Sequence, residues 1–173
     1  MNLIITCARH MEPETAEEIG SILEDMGDPG PTTTITDMPG ILTVQTTVDP
    51  FAVVRETREK LSEEPWHVRY CLRLIPVQKT AETSIEDIGR CVDGLRDGIL
   101  EKDTYRISVE KRNSSISTQE LISRIAGKIP NKVSLEIPDK IVLIEVLGDK
   151  TGVAIIQRGD ILSVEKTKRS LSE

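Results

Sequence analysis

Apolar residues in the first 78 positions recur with two different periods, and together these predict six secondary-structure elements. Stretches with a two-residue period are typical of strands, and stretches with a 3.6-residue period are typical of helices. The predicted elements are a strand at 3–7, a helix that begins near Pro13 and ends at Gly27, strands at 32–36 and 41–48, a helix capped by Asp49, and a strand at 68–74. This order is the ferredoxin-like βαββαβ pattern.

The remaining residues predict a second set of elements after a polar linker at 77–84. A helix opens at Ser84, a half-buried strand follows at 105–110, and a second helix is capped by Ser117 and stopped by Pro130. Strands at 140–146 and 153–156 are almost continuously apolar, which is typical of strands buried on both faces. The patterns therefore predict an α/β (α+β) protein with domains at 1–78 and 79–173.

Three glycines lie in or near the helix that opens at Ser84. They are Gly89, Gly94 and Gly98. Each weakens a helix by about 1 kcal/mol relative to alanine. We therefore expect this helix to depend on packing against the sheet that follows it.

The turn before the second of these helices carries the first candidate chemistry. Lys111 and Arg112 precede a polar run, Asn113 to Ser115, which leads to the exposed amide groups of a helix N-terminus. Cationic side chains beside free backbone donors suit a phosphate group. Most basic residues before a helix are simply solvated, so the pattern favours a phosphate site without requiring one.

The same stretch resembles a known family. A strand, the KR pair, a Ser-rich turn and an amphipathic helix are followed by NKVSLEIPDKIVLIEVLGDKTGVAI, in which PDK, an apolar strand, GD and a second apolar strand are the most specific features. This order is similar to the THUMP domain, an RNA-binding module of tRNA- and rRNA-modifying proteins. Within that family the chain is most similar to stand-alone archaeal and eukaryotic proteins that assist tRNA cytidine N4-acetylation.

The resemblance implies both an architecture and a function. A ferredoxin-like domain should precede the THUMP domain, and the pair should grip the acceptor stem and 3′ end of tRNA. The chain would then be a non-catalytic adaptor that presents tRNA to a separate enzyme, an acetyltransferase. Two other readings remain open: a methyltransferase or thiolation enzyme as the partner, or a protein–protein adaptor or small-molecule sensor that binds no RNA.

Composition limits the class of protein. Apolar residues make up 38% of the 173, which is enough for packed cores. No apolar run reaches the length of a membrane helix, and the first residues lack the pattern of a signal peptide. Three scattered cysteines favour a reducing compartment, so we expect a cytoplasmic protein. Composition does not indicate an oligomeric state.

Charge argues partly against RNA binding. The formal net charge is −7, whereas nucleic-acid-binding domains are more often basic. Residues 1–78 hold six Lys and Arg against 13 Asp and Glu, and residues 79–173 hold 16 of each. We therefore hypothesise that an acidic helical face of the first domain, with Glu17, Glu18 and Glu24, avoids RNA and docks a basic partner.

No pattern indicates catalysis or a cofactor, since dinucleotide, phosphate-loop and nucleophile-elbow motifs are absent from the sequence. Cys7 and His10 with His67 and Cys71 invite a zinc interpretation. Residues four apart on a strand are about 13 Å apart, however, which is too far to share one ion, so we predict no metal site.

Cationic residues are the remaining candidates for a binding site. Arg69 and Arg73 are predicted to share an exposed face of the last strand of the first domain. The predicted RNA contacts are Lys111, Arg112, Asn113, Lys140, Arg158, Lys166, Lys168, Arg169, Arg69 and Arg73. Of these, Lys111, Arg112 and Lys140 lie in segments that match the family, Asn113 lies beside Arg112 at the helix entry, and the other cations are chosen on charge alone.

Overall fold

The structure is a computed structural model that describes residues 1–173. It divides into two compact units: unit 1 comprises residues 1–76 and 159–173, and unit 2 comprises residues 77–158. None of its helices combines the length and the apolar character needed to cross a membrane.

Unit 1 contains an antiparallel sheet packed on helices. Its elements are β1 (Leu3–Cys7), α1 (Glu12–Asp25), β2 (Thr32–Ile35), β3 (Ile41–Gln45), α2 (Pro50–Glu63), β4 (Cys71–Pro76), β9 (Leu162–Ser163) and α5 (Val164–Leu171). The strand order is β2-β3-β1-β4-β9, and every neighbouring pair is antiparallel. The first four strands with α1 and α2 are a ferredoxin-like fold, which confirms the prediction from periodicity.

The core of unit 1 lies between this sheet and its helices. Leu3 and Ile5 alternate into it from β1, Ile19 and Leu23 reach it from α1, and Leu61 from α2. Asp49 caps α2 through its side chain, which accepts a hydrogen bond from the Phe51 N–H at 3.0 Å. α2 therefore forms where an apolar stripe coincides with a good cap, whereas α1 begins at Glu12 without a side-chain cap.

The last strand of the ferredoxin-like fold begins later than predicted. It starts at Cys71, so Arg69 lies in the preceding loop and does not share a strand face with Arg73. Cys7 pairs with Cys71, whereas Thr6 pairs with Arg73, so Leu72 is an extra residue in the ladder. This irregularity turns Cys71 into the core, which a strict two-residue alternation could not predict.

The C-terminal tail belongs to unit 1, although the predicted domain boundary assigned it to residues 79–173. β9 pairs with β4, and Leu162 and Val164 are buried in the core of unit 1. The Arg58 guanidinium donates to the Gly159 and Ile161 carbonyls at 2.5 and 3.2 Å. A two-residue strand is too short to leave a periodic signal, which explains the difference.

Unit 2 contains a mixed sheet with two helices. Its elements are β5 (Lys79–Glu82), α3 (Ile85–Leu95), a 3-10 turn (Arg96–Gly98), β6 (Tyr105–Arg112), α4 (Thr118–Ala126), β7 (Lys140–Leu147) and β8 (Lys150–Ile156). The strand order is β5-β8-β7-β6; β6 runs parallel to β7, and the other neighbouring pairs are antiparallel. The predicted linker at 77–84 is therefore wrong in part, because β5 is an edge strand whose polar sequence hides it.

The apolar strands of unit 2 are buried as predicted. Val142, Ile144 and Val146 face the core that also holds Ile88 of α3 and Leu121 of α4. The residues that alternate with them on β7 are buried as well, including Glu145 at 1% exposure. This burial on both faces accounts for the continuous apolar run.

Two of the glycines flagged in the sequence make room for cationic side chains. A Cβ added at Gly89 would lie 2.7 Å from Cζ of Arg124, and one added at Gly94 would lie 2.6 Å from Nζ of Lys79. The Arg124 guanidinium ion-pairs with Asp93 at 3.0 Å and holds the pKa of that carboxyl below its ordinary value. The absence of these Cβ atoms therefore lets the ends of the Arg124 and Lys79 side chains lie against α3.

Candidate functional site

The end of β6 and the turn that joins it to α4 hold three of the predicted RNA contacts. Lys111 is exposed, and its ammonium donates a hydrogen bond to the Ile116 carbonyl at 2.9 Å. Asn113 is exposed and has a φ of 52°, in the left-handed region that asparagine tolerates better than most residues. The Gly148 N–H donates to the Arg112 carbonyl, so the β7–β8 turn holds this segment in place.

Arg112 lies above a buried acid. One of its terminal nitrogens is 3.8 Å from Oε2 of Glu145, and the Arg112 side chain is 35% exposed. The guanidinium therefore balances a buried negative charge on one side. Because a guanidinium has five N–H donors, it can also face solvent and an anion on the other side.

The first turn of α4 offers the amide groups that the sequence predicted. Ser117 caps the helix, and its hydroxyl accepts the Glu120 N–H at 3.2 Å. Ser114 accepts the Ile116 N–H at 3.2 Å, which orders the approach to the helix. Together with Lys111 and Asn113, this turn presents polar donors to solvent at one end of the sheet.

The structure does not bring Lys140 together with Lys111 and Arg112. Lys140 pairs with Tyr105 at the start of β6, whereas Arg112 ends that strand, which separates them by roughly 23 Å. The Lys140 ammonium donates to the Gly98 carbonyl and to Asp103, both at 3.0 Å, and the side chain is 14% exposed. The Leu100 N–H and then this ammonium hold the pKa of Asp103 below its ordinary value.

Arg158 lies near the same end of the sheet as Lys140. It follows β8, whose Ile156 pairs with Ile141 beside Lys140, and it is exposed without an ion pair. Lys102 and Lys132 lie near this end too, because the Tyr105 N–H bonds the Lys132 carbonyl, and their exposed side chains have no polar partner. Sequence reasoning missed both, since they are 30 positions apart and belong to no motif.

The other predicted cations belong to unit 1. Arg69 is exposed without an ion pair, Arg73 is half-buried on β4, and Lys166 is exposed on α5. The Lys168 ammonium donates to the Val68 carbonyl at 2.7 Å, which joins α5 to the loop before β4. Arg169 makes only a long contact of 3.9 Å with Glu165.

The four residues that invited a zinc interpretation lie on two paired strands and in two separate connections of unit 1. Cys7 and Cys71 are buried side by side on β1 and β4, and burial raises the pKa of both thiols. His67 lies in the loop before β4, and His10 has a φ of 71° in the β1–α1 connection. No group of three potential ligands is close enough to hold a metal ion.

The acidic face of α1 is only partly available to a partner. Glu17 and Glu24 are exposed. The Glu18 carboxylate, however, accepts the backbone N–H groups of Arg69 and Tyr70 in the loop before β4 and of Cys71, the first residue of β4. Its distances to the Arg69 and Cys71 nitrogens are 2.5 and 2.9 Å. The Glu18 carboxylate therefore holds this loop in place. The hypothesis that an acidic face of α1 docks a basic partner then concerns Glu17 and Glu24.

Comparison of the sequence with known families identifies part of unit 2. Residues 82–156 match the sequence profile of the THUMP domain. The match confirms the resemblance of this segment to the THUMP domain. The matched segment contains Lys111, Arg112, Asn113 and Lys140, and it ends before Arg158.

Two curated relatives are similar over most of the chain. An uncharacterized protein of Schizosaccharomyces pombe is 26% identical over 157 residues, which make up 85% of this chain and 54% of that protein. An uncharacterized protein of Methanocaldococcus jannaschii is 26% identical over 126 residues, or 70% of this chain and 35% of that protein. The chain thus spans about half or less of the length of these relatives.

Solved structures share the fold at low sequence identity. A Pyrococcus horikoshii protein aligns with a TM-score of 0.62 at 17% identity, over 91% of this chain and 55% of its own. TrmN from Thermus thermophilus aligns with a TM-score of 0.61 at 14% identity, over 90% of this chain and 45% of its own. A possible methylase from Clostridium difficile aligns with a TM-score of 0.53 at 16% identity, over 89% of this chain and 40% of its own. These similarities show the fold alone.

Proposed function

We propose that this chain is a non-catalytic tRNA-binding adaptor that presents the acceptor stem and 3′ end of tRNA to a separate cytidine N4-acetyltransferase in the cytoplasm. The observation that carries the proposal is the THUMP domain at 82–156, with Lys111, Arg112 and Asn113 at the turn before α4. Phosphate contacts fix orientation without reading sequence, which suits a protein that serves several tRNAs.

The proposed contacts differ in how free they are to bind. In unit 2, Lys111, Arg112 and Asn113 form one group, and Arg158 lies at the other end of the sheet. Lys140 is held by Asp103 and Gly98, so we assign it to positioning the loop before β6. In unit 1 the proposed contacts are Arg69, Arg73, Lys166, Lys168 and Arg169.

The test is tRNA binding with two variants of equal charge. One variant carries Lys111→Gln and Arg112→Gln, which avoids placing a carboxylate against Glu145. The matched control carries Arg9→Gln and Arg55→Gln, which remove two exposed cations of unit 1 that are not among the proposed contacts. Binding is measured with intact tRNA and with tRNA that lacks its 3′-terminal nucleotides, at low and near-physiological salt.

If the proposal holds, trimming weakens binding, and the first variant weakens it more than the control. Each lost phosphate contact also reduces the magnitude of the negative slope of log K against log salt by roughly 0.7–0.9. Thermal unfolding of both variants shows whether loss of Arg112 above Glu145 perturbs the fold. Failure of the unmodified protein to bind tRNA even at low salt would refute the proposal.

A methyltransferase is the second candidate partner enzyme. The possible methylase from Clostridium difficile shares this fold, and a structure described as a putative methyltransferase complexed with SAH aligns with a TM-score of 0.50. This chain covers only 40% of each of those chains. Reconstitution with each class of enzyme and unmodified tRNA distinguishes the two partners by whether an acetyl or a methyl group is transferred.

A further inference from the structure

The chain's only tryptophan is displayed to solvent. Trp66 lies in the loop between α2 and β4 and is 69% exposed, whereas the neighbouring Val68 is fully buried. A tryptophan offers more flat, polarisable surface than any other side chain, and exposing it forgoes a large hydrophobic gain. A ring held in this position is suited to contact with another molecule.

The loop that carries Trp66 is held from several sides. The His67 N–H bonds the Glu64 carbonyl at 2.9 Å, and the Lys168 ammonium bonds the Val68 carbonyl at 2.7 Å. The Glu18 carboxylate accepts the Arg69 and Cys71 N–H groups. The exposed ring therefore projects from an anchored loop, which reduces the entropy lost when a ligand binds.

Two cations lie on or contact the loop that carries the ring. The Arg69 side chain is exposed and makes no ion pair, and Lys168 reaches this loop from α5 with two further N–H donors. The acid nearest in sequence on the helix side, Glu64, lies 3.7 Å from Lys60, which offsets its charge. A flat aromatic surface beside cations is the combination that binds unpaired nucleotides, since the base stacks and the phosphate is neutralised.

We propose that Trp66 is a stacking platform for an unpaired base of RNA, with Arg69 and Lys168 contacting the adjoining phosphates. The proposal rests on the RNA-binding function proposed above and adds a single-strand site on unit 1. A base inside a duplex is stacked on both sides and cannot use the platform. The site is therefore selective for single strands.

The experiment is a fluorescence titration of the full chain. Because Trp66 is the only tryptophan, its emission reports this site alone. The probes are a single-stranded oligoadenylate and a blunt RNA duplex with the same number of phosphates. We expect saturable quenching by the single strand and little change with the duplex.

Affinity for the labelled oligoadenylate is measured in parallel by anisotropy. Trp66→Ala should weaken it roughly 5- to 150-fold, the range of one lost base stack, and Trp66→Phe should weaken it less. Arg69→Gln should weaken binding and reduce its salt dependence. Leu135→Ala removes an equally exposed apolar side chain, 72% exposed, from unit 2 and should leave affinity unchanged.

The outcomes separate the two proposals. If tRNA binds and responds to the Lys111 and Arg112 variant while Trp66 emission stays constant, the stacking site is refuted and the adaptor function stands. Unchanged oligoadenylate affinity in Trp66→Ala also refutes the site and reassigns the ring to a protein contact. Absence of all RNA binding refutes both proposals. Circular dichroism verifies that the variants remain folded.

Discussion

At the scale of single residues, one buried acid of unit 1, Asp28, fixes the connection that follows α1. Asp28 is 4% exposed and follows α1. Its carboxylate accepts hydrogen bonds from the Thr46 hydroxyl at 2.5 Å, the Thr47 N–H at 3.0 Å and the Gly30 N–H at 3.1 Å. The Thr46 hydroxyl and then the Thr47 N–H lower its pKa below the ordinary value of 3.8.

The lowered pKa of Asp28 makes stability depend on pH. Because the folded-state pKa lies below the unfolded value, the stabilisation is present above about pH 4 and is lost as pH falls through the folded-state pKa. We expect Asp28→Asn to be less stable than the wild type at neutral pH, with the difference shrinking below about pH 4. Urea unfolding across a pH series measures this difference.

The matched control for Asp28 is Asp25→Asn, which changes an exposed carboxylate that makes no hydrogen bond or ion pair. It should change stability little at any pH. A difference between Asp28→Asn and the wild type that stays constant down to pH 2 would contradict the role assigned to the Asp28 charge.

At the scale of elements, the space beside a helical glycine distinguishes an open position from one that contacts a neighbouring side chain. Gly20 lies in α1 with no atom within 4 Å of an added Cβ. Gly89 lies in α3, where an added Cβ would meet the guanidinium that pairs with Asp93. The helix propensity of glycine is the same at both positions, whereas the atoms that an added Cβ would contact differ.

The two glycines give opposite predictions for alanine substitution. Gly20→Ala should raise the free energy of unfolding by about 0.5–1 kcal/mol, because it restricts the unfolded chain and strains nothing. Gly89→Ala should give no gain, because Arg124 must move and its contact with Asp93 is lost. Chemical denaturation of both variants measures the difference, and equal stabilisation would mean that Arg124 relocates without loss.

At the scale of the whole molecule, the C-terminal tail determines how the chain is divided. Leu162 is fully buried in unit 1, about 85 positions beyond the end of β4, whereas Leu171 is 42% exposed. Unit 1 therefore takes part of its core from beyond the THUMP domain, so a cut between residues 78 and 79 does not separate the compact units.

The tail gives a test of this division. Leu162→Ala should destabilise unit 1 by about 2–5 kcal/mol, because it leaves a cavity in the core, whereas Leu171→Ala should cost less than about 0.5 kcal/mol. Amide hydrogen exchange in β4 reports unit 1 directly. Unchanged protection of β4 in Leu162→Ala would show that the tail does not support this sheet.

The sequence predicted most of the elements because each long element carries its own signal. The stripe of α4, the cap at Ser117 and the apolar run of β7 are local, and the THUMP resemblance rests on the same segment. The weak points were β5, which is polar and short, and the start of β4, where an extra residue breaks the alternation. These features depend on strand pairing, which no local window contains.

The sequence by itself determined the order of the elements other than β5, β9 and α5, the ferredoxin-like pattern and the THUMP resemblance, since periodicity and caps act over a few residues. Only the tertiary structure decided which cations share a surface. Lys140 lies at the opposite end of β6 from Lys111, and Lys102 and Lys132 lie near the same end of the sheet as Arg158. The Glu18 carboxylate bonds backbone amides. The physical reason is that register and long-range hydrogen bonds join residues distant in sequence, so local charge cannot show which side chains remain free.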